Sequence, residues 1–500
     1  MKRKTDLIKQ VKLSFWLNGN FTEIAIPPGM TTLELLNDRL NLSGTKCSCN
    51  EGDCGACTVV IAQKQKGKVI YRAINSCLYL AARLQDKHLI TIEGLAEEGN
   101  LHPIQTAILD AHATQCGFCT PGFVMSIFAL LLNHSNPSEN EVLAALEGNL
   151  CRCTGYDSIL KAIEILRKKQ LTAREILPAR LKSVEKKLQE ELQALITSPS
   201  ENVEGHETLN YYAPHSLEEL WELLQNKKTD KIKFLAGGTD LQVQANIQNQ
   251  HPEEIISLSE INELQGIKLA DKYLRIGAAV TLSEIRQNKS VQRYFPLLIT
   301  TIEQMASEQI RNVATLAGNI ANASPVADGA TALLALEAVL ELASAKGIRK
   351  IKLSIFYHAY KQTALQEGEI ILSVLLPLPS ENNNLFGFWK SAKRKSLDIS
   401  SVVTAVQIQM QGAKINKAVI SVGGVAPYPA LAVKTMAFLK GKIASFELIN
   451  KAAEKAQQEF TPISDLRGSE QYRRLLIKNH LLKLLSEILP KSEVSERGKA

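Results

Sequence analysis

The sequence predicts a multidomain α+β protein, and three observations carry that expectation: its length, a change of hydrophobic period along the chain, and the grouping of its cysteines. Five hundred residues, 45% of them hydrophobic, exceed what one ordinary core organises, so three or four domains are expected. Apolar residues alternate over residues 11–95, take helical spacing over 103–166, and mix the two patterns beyond Leu209. Eight of the nine cysteines fall into two quartets, Cys49, Cys54, Cys57 and Cys77, then Cys116, Cys119, Cys151 and Cys153.

Lys12–Leu17 and Phe21–Ile26 alternate as strands, and Thr32–Leu40 has helical spacing with Thr31 or Thr32 as its cap. Further strands follow at Thr58–Ala62, Val69–Ile74 and Leu89–Ile92. This order matches a sheet grasping one helix, as in ferredoxins, and is assigned to residues 1–95. A four-helix domain is expected over 96–168, from Ile104–Ala113, Pro121–Asn133, Glu139–Glu147 and Ser158–Arg167, each beginning near Pro, Ser or Asn. Residues 169–207, rich in Lys, Glu and Gln and without a persistent apolar face, read as a charged helix fading into a linker. An α+β body is expected over 208–385, where strand-like Lys233–Ala236 and Leu274–Gly277 alternate with helix-like Leu217–Leu224 and Leu282–Gln287. A last α/β unit, 386–490, takes in Phe386–Lys390, Ser401–Met410, Val419–Val425 and helices from Phe446 onward.

The net charge of +7 is concentrated between Lys161 and Glu190, with nine Lys or Arg against four Glu and no aromatic residue. Single-strand nucleic-acid binders interleave aromatic and basic residues, so this stretch reads as a solvated helix and no nucleic-acid partner is expected. The longest apolar run, Phe123–Leu132, is too short to span a bilayer. A soluble, cytoplasmic protein is expected, without membrane association or a disulfide framework.

Four thiolates are what a 2Fe-2S cluster requires, because each tetrahedral iron has two positions left after the bridging sulfides. The spacing Cys49-x4-Cys54-x2-Cys57 is that of plant ferredoxins, and Gly52 and Gly55 let the loop curl around a cluster. Zinc sites favour paired knuckles over such a glycine-rich loop. The second quartet, CxxC followed by CxC, leaves cluster and structural zinc open on spacing alone. Cys47 is read as a non-ligand. Two further loops, Phe234–Asp240 and Ile310–Asp328, carry glycines able to cradle phosphate, although each taken alone reads equally as an ordinary turn. No GxGxxG follows a strand and no GxxxxGK[ST] occurs.

The segments Cys49-Asn-Glu-Gly-Asp-Cys-Gly-Ala-Cys-Thr-Val, Gln115-Cys-Gly-Phe-Cys-Thr-Pro-Gly and Asn149-Leu-Cys-Arg-Cys-Thr-Gly-Tyr resemble the iron–sulfur half of the molybdenum hydroxylases. Ala236-Gly-Gly-Thr-Asp, and Ala317-Gly-Asn-Ile with Ser324-Pro and Asp328, resemble their FAD-binding domain. Within that family the chain is most similar to the small subunits of bacterial two-subunit xanthine dehydrogenases, and with a length near 500 the molybdopterin domains are expected on a separate chain. The resemblance implies a two-part α+β FAD-binding domain and a C-terminal α/β flavoprotein domain. It implies clusters on both quartets, the second nearer the molybdenum cofactor, with Gln115 against the pterin. It places the FAD pyrophosphate on Leu235, Ala236, Gly237, Gly238, Thr239, Asp240 and Leu241. Gly318, Asn319, Ser324 and Asp328 fall near its ribityl and phosphate groups, with loop capping as the plainer role of the last three. The implied partners are a molybdopterin-binding large subunit, in a heterotetramer, and NAD+ as acceptor.

The implied reaction converts xanthine, NAD+ and water to urate and NADH, with hydroxylation on the partner and no catalytic residue here. Another heterocycle or an aldehyde as substrate, a stand-alone NADH diaphorase and a zinc-stabilised interaction scaffold are the alternatives. The chain departs from the family at Gln304-Met-Ala-Ser, where an aromatic ring usually faces the flavin, leaving the Met305 thioether as a candidate. Lys390 and Arg394 are cationic but are not assigned as sites.

Overall fold

The computed structural model describes residues 11–65, 67–190, 210–225, 227, 231–379 and 384–489. The chain divides into two compact units, the first made of residues up to Ala213 together with Lys231–Ser257 and Ser307–Val313. The second takes Pro214–Asp230, Leu258–Ala306 and the chain from Ala314 onward.

The first unit opens with a five-stranded sheet in the order Asn20–Ile26, Val11–Leu17, His88–Ile90, Thr58–Gln65 and Lys68–Asn75. Alternation along Val11–Leu17 sends Leu13 and Phe15 into the core, where Leu35 and Leu36 of the grasped helix meet them. That helix starts at Thr32–Glu34 behind a capping box, Thr31 N–H donating to the Glu34 carboxylate at 2.8 Å and Glu34 N–H to the Thr31 hydroxyl at 3.2 Å. It continues as a π-turn over Leu35–Arg39.

The helical expectation holds to within a few residues, with helices at Pro103–Asp110, Thr120–Asn133, Glu139–Leu146 and Asp157–Lys169. Thr120–Asn133 is the central one, buried without a break from Gly122 to Leu131, which is why its sequence is apolar all round. His102 caps Pro103–Asp110 by accepting from Ile104 N–H through Nδ1, and its Nε2 therefore donates to the Ile176 carbonyl at 2.7 Å. Beyond Lys169, where a charged helix fading into a linker is expected, the chain forms two helices, Ala173–Ile176 and Ala179–Glu190. Leu181, Val184 and Leu188 are buried in the same core as Thr120–Asn133. Their spacing of three and four residues is a narrow apolar stripe that surrounding Lys and Glu obscure in the sequence. The remainder of that segment, 191–207, lies outside the described residues.

A three-stranded parallel sheet, in the order Asn210–Tyr212, Glu254–Ser257 and Ile232–Leu235, completes the first unit, with the helix Thr239–Gln248 as the crossover between its last two strands. Ser307–Val313 also belongs here. Arg311 in this segment is fully buried and forms ion pairs with Glu147 and Glu308, while Asn312 donates to the Ala73 carbonyl at 2.9 Å.

The second unit contains an antiparallel five-stranded sheet in the order Gly347–Lys352, Val339–Ser344, Ile370–Pro377, Tyr273–Gly277 and Ile267–Leu269. Short helices, among them Pro296–Glu303, Leu316–Ala321 and Asp328–Ala335, belong to this unit. A four-stranded antiparallel sheet follows, Asn384–Ser391, Val402–Gln411, Lys414–Gly423 and Ala430–Leu431. Its core of Val406, Ile420 and Val422 is shared with Ile449 and Ala453 of the helix Phe446–Glu459 and Leu481 of Glu470–Leu485. The chain is thus a multidomain α+β protein. Among the described residues no helix is long and apolar enough to cross a membrane.

Candidate functional site

The first cysteine quartet is held by the loop that ends at Thr58 and by the turn after Asn75. The Cys57 and Cys77 sulfurs lie 3.3 Å apart and are buried, and Cys54 hydrogen-bonds through its thiol to Cys49. All nine cysteines are free thiols. The loop is tightly curled because Gly55 sits at φ +66°, and a Cβ there would lie 2.3 Å from the Gly148 carbonyl oxygen. Asn75 pins it by donating to the Gly52 carbonyl at 2.9 Å. Hydrogen bonds from the Cys54 thiol and from the backbone N–H groups of Glu51, Asp53 and Cys54 bring the Cys49 thiol down to about 5. Donors that favour a thiolate equally favour the negative sulfur of a bound cluster.

The second quartet uses the start of Thr120–Asn133 for Cys116 and Cys119, and the turn before Asp157–Lys169 for Cys151 and Cys153. The Cys116 and Cys153 sulfurs are 3.7 Å apart, and Cys119 hydrogen-bonds to Cys151. Burial would raise the Cys151 thiol, but donors from Thr154 and Cys153 outweigh it and lower it below the ordinary value. Tyr156, in the left-handed region at φ 75°, places its hydroxyl to accept from Cys151 N–H at 3.0 Å. This site lies at the surface: Cys116 and Cys153 are exposed, and so are Phe118, Leu150 and Tyr156, at 44%, 40% and 38%. Gln115, also exposed, donates to the Cys153 carbonyl at 3.2 Å.

In both quartets the sulfurs gather in pairs. Among the described residues no group of three or more His, Cys, Asp or Glu side chains is placed to hold a single metal ion. A tetrahedral metal with bonds of about 2.3 Å to sulfur separates two ligand sulfurs by about 3.8 Å. The 3.7 Å pair matches that separation and the 3.3 Å pair is shorter, and two pairs per quartet can supply the two thiolates that each of two irons takes. The donor set suits a 2Fe-2S cluster at each quartet.

The phosphate-cradle residues are divided between the first unit, which holds 235–241, and the second, which holds 318–328. In the first unit the strand Ile232–Leu235 ends in Ala236, Gly237 and Gly238, and the helix Thr239–Gln248 begins at once. Gly238 adopts φ +79°, and its position in front of a ten-residue helix directs uncovered N–H groups outward, as an anion requires. Arg83 fixes the turn by donating to the Gly237 carbonyl at 2.7 Å. Asp240 accepts from Gln244, and Leu241 packs with Leu235. Asn246, at the far end of the helix, donates to the carbonyls of Asn50 and Cys77 at 3.0 and 2.9 Å, so the helix is anchored on the first quartet's loop.

In the second unit Gly318 N–H donates to the Thr315 hydroxyl, Asn319 accepts from Ala330 N–H and Ser324 from Val326 N–H, which are capping and turn roles. Asp328 is buried, accepting from Ser400 at 2.6 Å and from Lys390 at 2.7 Å, and Lys390 also donates to the Gln304 carbonyl. In the sequence Lys390 is visible as a cation without an assigned site, and Ser400 carries no signal. A lysine ending the apolar run Phe386-Gly-Phe-Trp was the available clue. Met305 is buried at 7% exposure. Arg394 turns back to the Leu397 carbonyl.

A side chain at 238 would be strained in the left-handed region by about 1–2 kcal/mol, and its Cβ would press on Leu235 at 3.1 Å. Gly238→Val is therefore expected to lower FAD content, and Asp328→Ala to weaken FAD retention, both with normal iron. Full flavin in both variants, measured by absorbance after denaturation, would place the flavin elsewhere.

Four family models match the chain in order: a 2Fe-2S iron-sulfur cluster binding domain over residues 16–81, a [2Fe-2S] binding domain over 91–164, an FAD binding domain in molybdopterin dehydrogenase over 206–379, and a CO dehydrogenase flavoprotein C-terminal domain over 387–488. The xanthine dehydrogenase of Blastobotrys adeninivorans is 30% identical over 96% of this chain, which spans 41% of that protein. Among solved structures, a chain of quinoline 2-oxidoreductase from Pseudomonas putida 86 superposes with a TM-score of 0.53 at 28% identity, covering 56% of this chain and 96% of that one. A chain of carbon monoxide dehydrogenase from Hydrogenophaga pseudoflava, in a form lacking the Mo-pyranopterin moiety of the molybdenum cofactor, gives 0.54 at 28% identity with the same coverage. The chain spans less than half the length of the curated xanthine dehydrogenases it matches.

Proposed function

Because the chain belongs to the molybdenum hydroxylase family, as its iron–sulfur and FAD-binding portion, we propose that it is the electron-transfer part of a xanthine dehydrogenase. It would accept electrons from a molybdopterin cofactor on a large partner subunit, within a heterotetramer, and deliver them to NAD+. The net reaction would be xanthine, NAD+ and water to urate and NADH, in the reducing cytoplasm. Bound clusters supply one-electron relays, and bound FAD supplies the change from single electrons to a hydride.

The chain's own residues would hold and tune these groups. Cys49 with Cys54, and Cys57 with Cys77, would each take one iron of the first cluster; Cys116 with Cys153, and Cys119 with Cys151, would do so for the second. Backbone N–H groups at Cys49 and the Thr154 hydroxyl at Cys151 would offset charge on sulfur. Leu235–Leu241 would receive the FAD pyrophosphate, and Gly318, Asn319, Ser324 and Asp328 would shape the remaining FAD contacts. Gln115 would meet the pterin of the partner.

The observation that carries the reading is the asymmetry of the quartets. The first is partly buried, with Cys57 and Cys77 inside, whereas the second opens to the surface beside exposed Phe118, Leu150 and Tyr156. An exposed apolar rim around a redox centre is what a docking redox partner needs.

The purified chain should oxidise NADH with an artificial acceptor and leave xanthine untouched. Xanthine-dependent NADH formation should appear when the molybdenum-bearing subunit is added. Xanthine turnover by the chain alone, free of molybdenum, overturns the assignment. Turnover of a different heterocycle by the assembled complex would keep the electron-transfer role and replace the substrate, a second reading favoured by the likeness to quinoline 2-oxidoreductase.

A further inference from the structure

We propose that Asn149 is a positioning residue for electron exchange between the two clusters, its amide tying the loop of the first to the turn of the second while Gln309 holds that amide in place. This rests on the electron-transfer reading above. Asn149 is 3% exposed and lies two residues before Cys151. Its Nδ2 donates to the Gly55 carbonyl at 3.1 Å and reaches the Thr58 hydroxyl at 3.4 Å. Gly55 lies between Cys54 and Cys57, so this bond joins the ligand loop of one quartet to the ligand turn of the other. Its Oδ1 accepts from Ser126 at 2.7 Å, on the helix that follows Cys119, and from Gln309 at 2.9 Å.

The donor directions are mutually consistent. Thr58 gives its single hydroxyl proton to the Gly55 carbonyl, at 2.6 Å, and so can only accept from Asn149. Ser126 gives its proton to Asn149 and accepts from Gln309 Nε2 at 3.1 Å. Only a side-chain amide supplies a two-proton donor and an acceptor on one short stem; aspartate lacks the donor and leucine lacks both. The surrounding backbone is cleared for the contact. A Cβ on Gly122 would lie 2.2 Å from the Gly55 carbonyl oxygen, and one on Gly148 would lie 2.0 Å from Gln309 Oε1. Leu150 N–H donates to the Cys54 carbonyl at 2.9 Å, a second tie beside the first.

In the exchange one electron passes from one cluster to the other with no bond made or broken, so its rate depends on separation and on how rigidly that separation is held. A buried network inside the first unit supplies that rigidity: both polar atoms of the Asn149 amide are paired, and Gln309 Nε2 donates twice while its Oε1 has no partner. Gln309, fully buried, belongs by sequence to the stretch matched as the FAD-binding domain, yet it packs within the iron–sulfur unit. It therefore closes the network from outside both cysteine segments.

The test uses the full-length, iron-replete chain reduced with dithionite, and reads the magnetic interaction between the two S = 1/2 centres by electron paramagnetic resonance. Asn149→Ala and Gln309→Met are expected to keep about four irons per chain and both signals. Both should show a smaller spin–spin splitting than the unsubstituted protein, the loss being larger in Asn149→Ala. A role in stability alone would lower the unfolding midpoint and leave the splitting unchanged; unchanged splitting in iron-replete variants overturns the proposal. Should Asn149→Ala fail to load iron, Gln309→Met decides by the same criterion. Absence of two 2Fe-2S signals from the unsubstituted protein is a failure of the electron-transfer reading itself and takes this inference with it.

Discussion

Cys54→Ala is expected to remove about half of the iron and one of two S = 1/2 signals from the reduced chain, leaving the other signal intact. The expectation follows from the pairing of the sulfurs. The Cys54 thiol is hydrogen-bonded to Cys49, and its loss would leave one iron position of the first site with a single thiolate. The second quartet draws all four of its sulfurs from 116–153, so it retains every ligand. The alternative chemistry for a four-thiolate site, structural zinc, gives the opposite analysis: stoichiometric zinc, no iron and no paramagnetic signal on reduction. Metal analysis of the unsubstituted and substituted chains, beside spin quantification, separates the two. Zinc in place of iron would remove the redox role entirely, whatever the fold.

The cysteine pattern was readable because cluster ligands sit on short local spacings, and local spacing is what a sequence displays. The helices at 103–169 were readable for the same reason, since their apolar periods and their Pro or Ser starts are local. What stayed hidden depends on distant partners. Gln309, Arg311 and Asn312 carry no local signal of burial, yet all three are buried in the iron–sulfur unit and paired with Asn149, Glu147 and the Ala73 carbonyl. No neighbour in the chain announces those contacts. Lys390 was visible as a charge but not as the partner of Asp328, because that pair joins a strand to a helix start sixty-two positions away. Leu181, Val184 and Leu188 were obscured by composition: three apolar residues at helical spacing among lysines and glutamates give a weak periodic signal, and only burial against the unit's core identifies the face.

Phe118→Glu is expected to abolish most xanthine-dependent NADH formation in the reconstituted complex while leaving iron, FAD and NADH oxidation by the chain alone unchanged. Phe118 stands between Cys116 and Cys119 with 44% of its surface exposed, and Leu150 and Tyr156 extend the same apolar rim around the second quartet. Anchors of this kind at the centre of an interface commonly contribute about 2 kcal/mol or more each. A carboxylate in that place also has to be desolvated against an apolar surface, so partner affinity should fall by roughly thirtyfold or more. Phe118 supplies no ligand sulfur and is exposed, and the second cluster's signal serves as the control for local damage. Titration of the molybdenum-bearing subunit should then show a raised half-saturation with a preserved signal. Unaltered affinity with full turnover would mean that the partner docks on another face, and the exposed rim would have no part in delivering electrons to the second cluster.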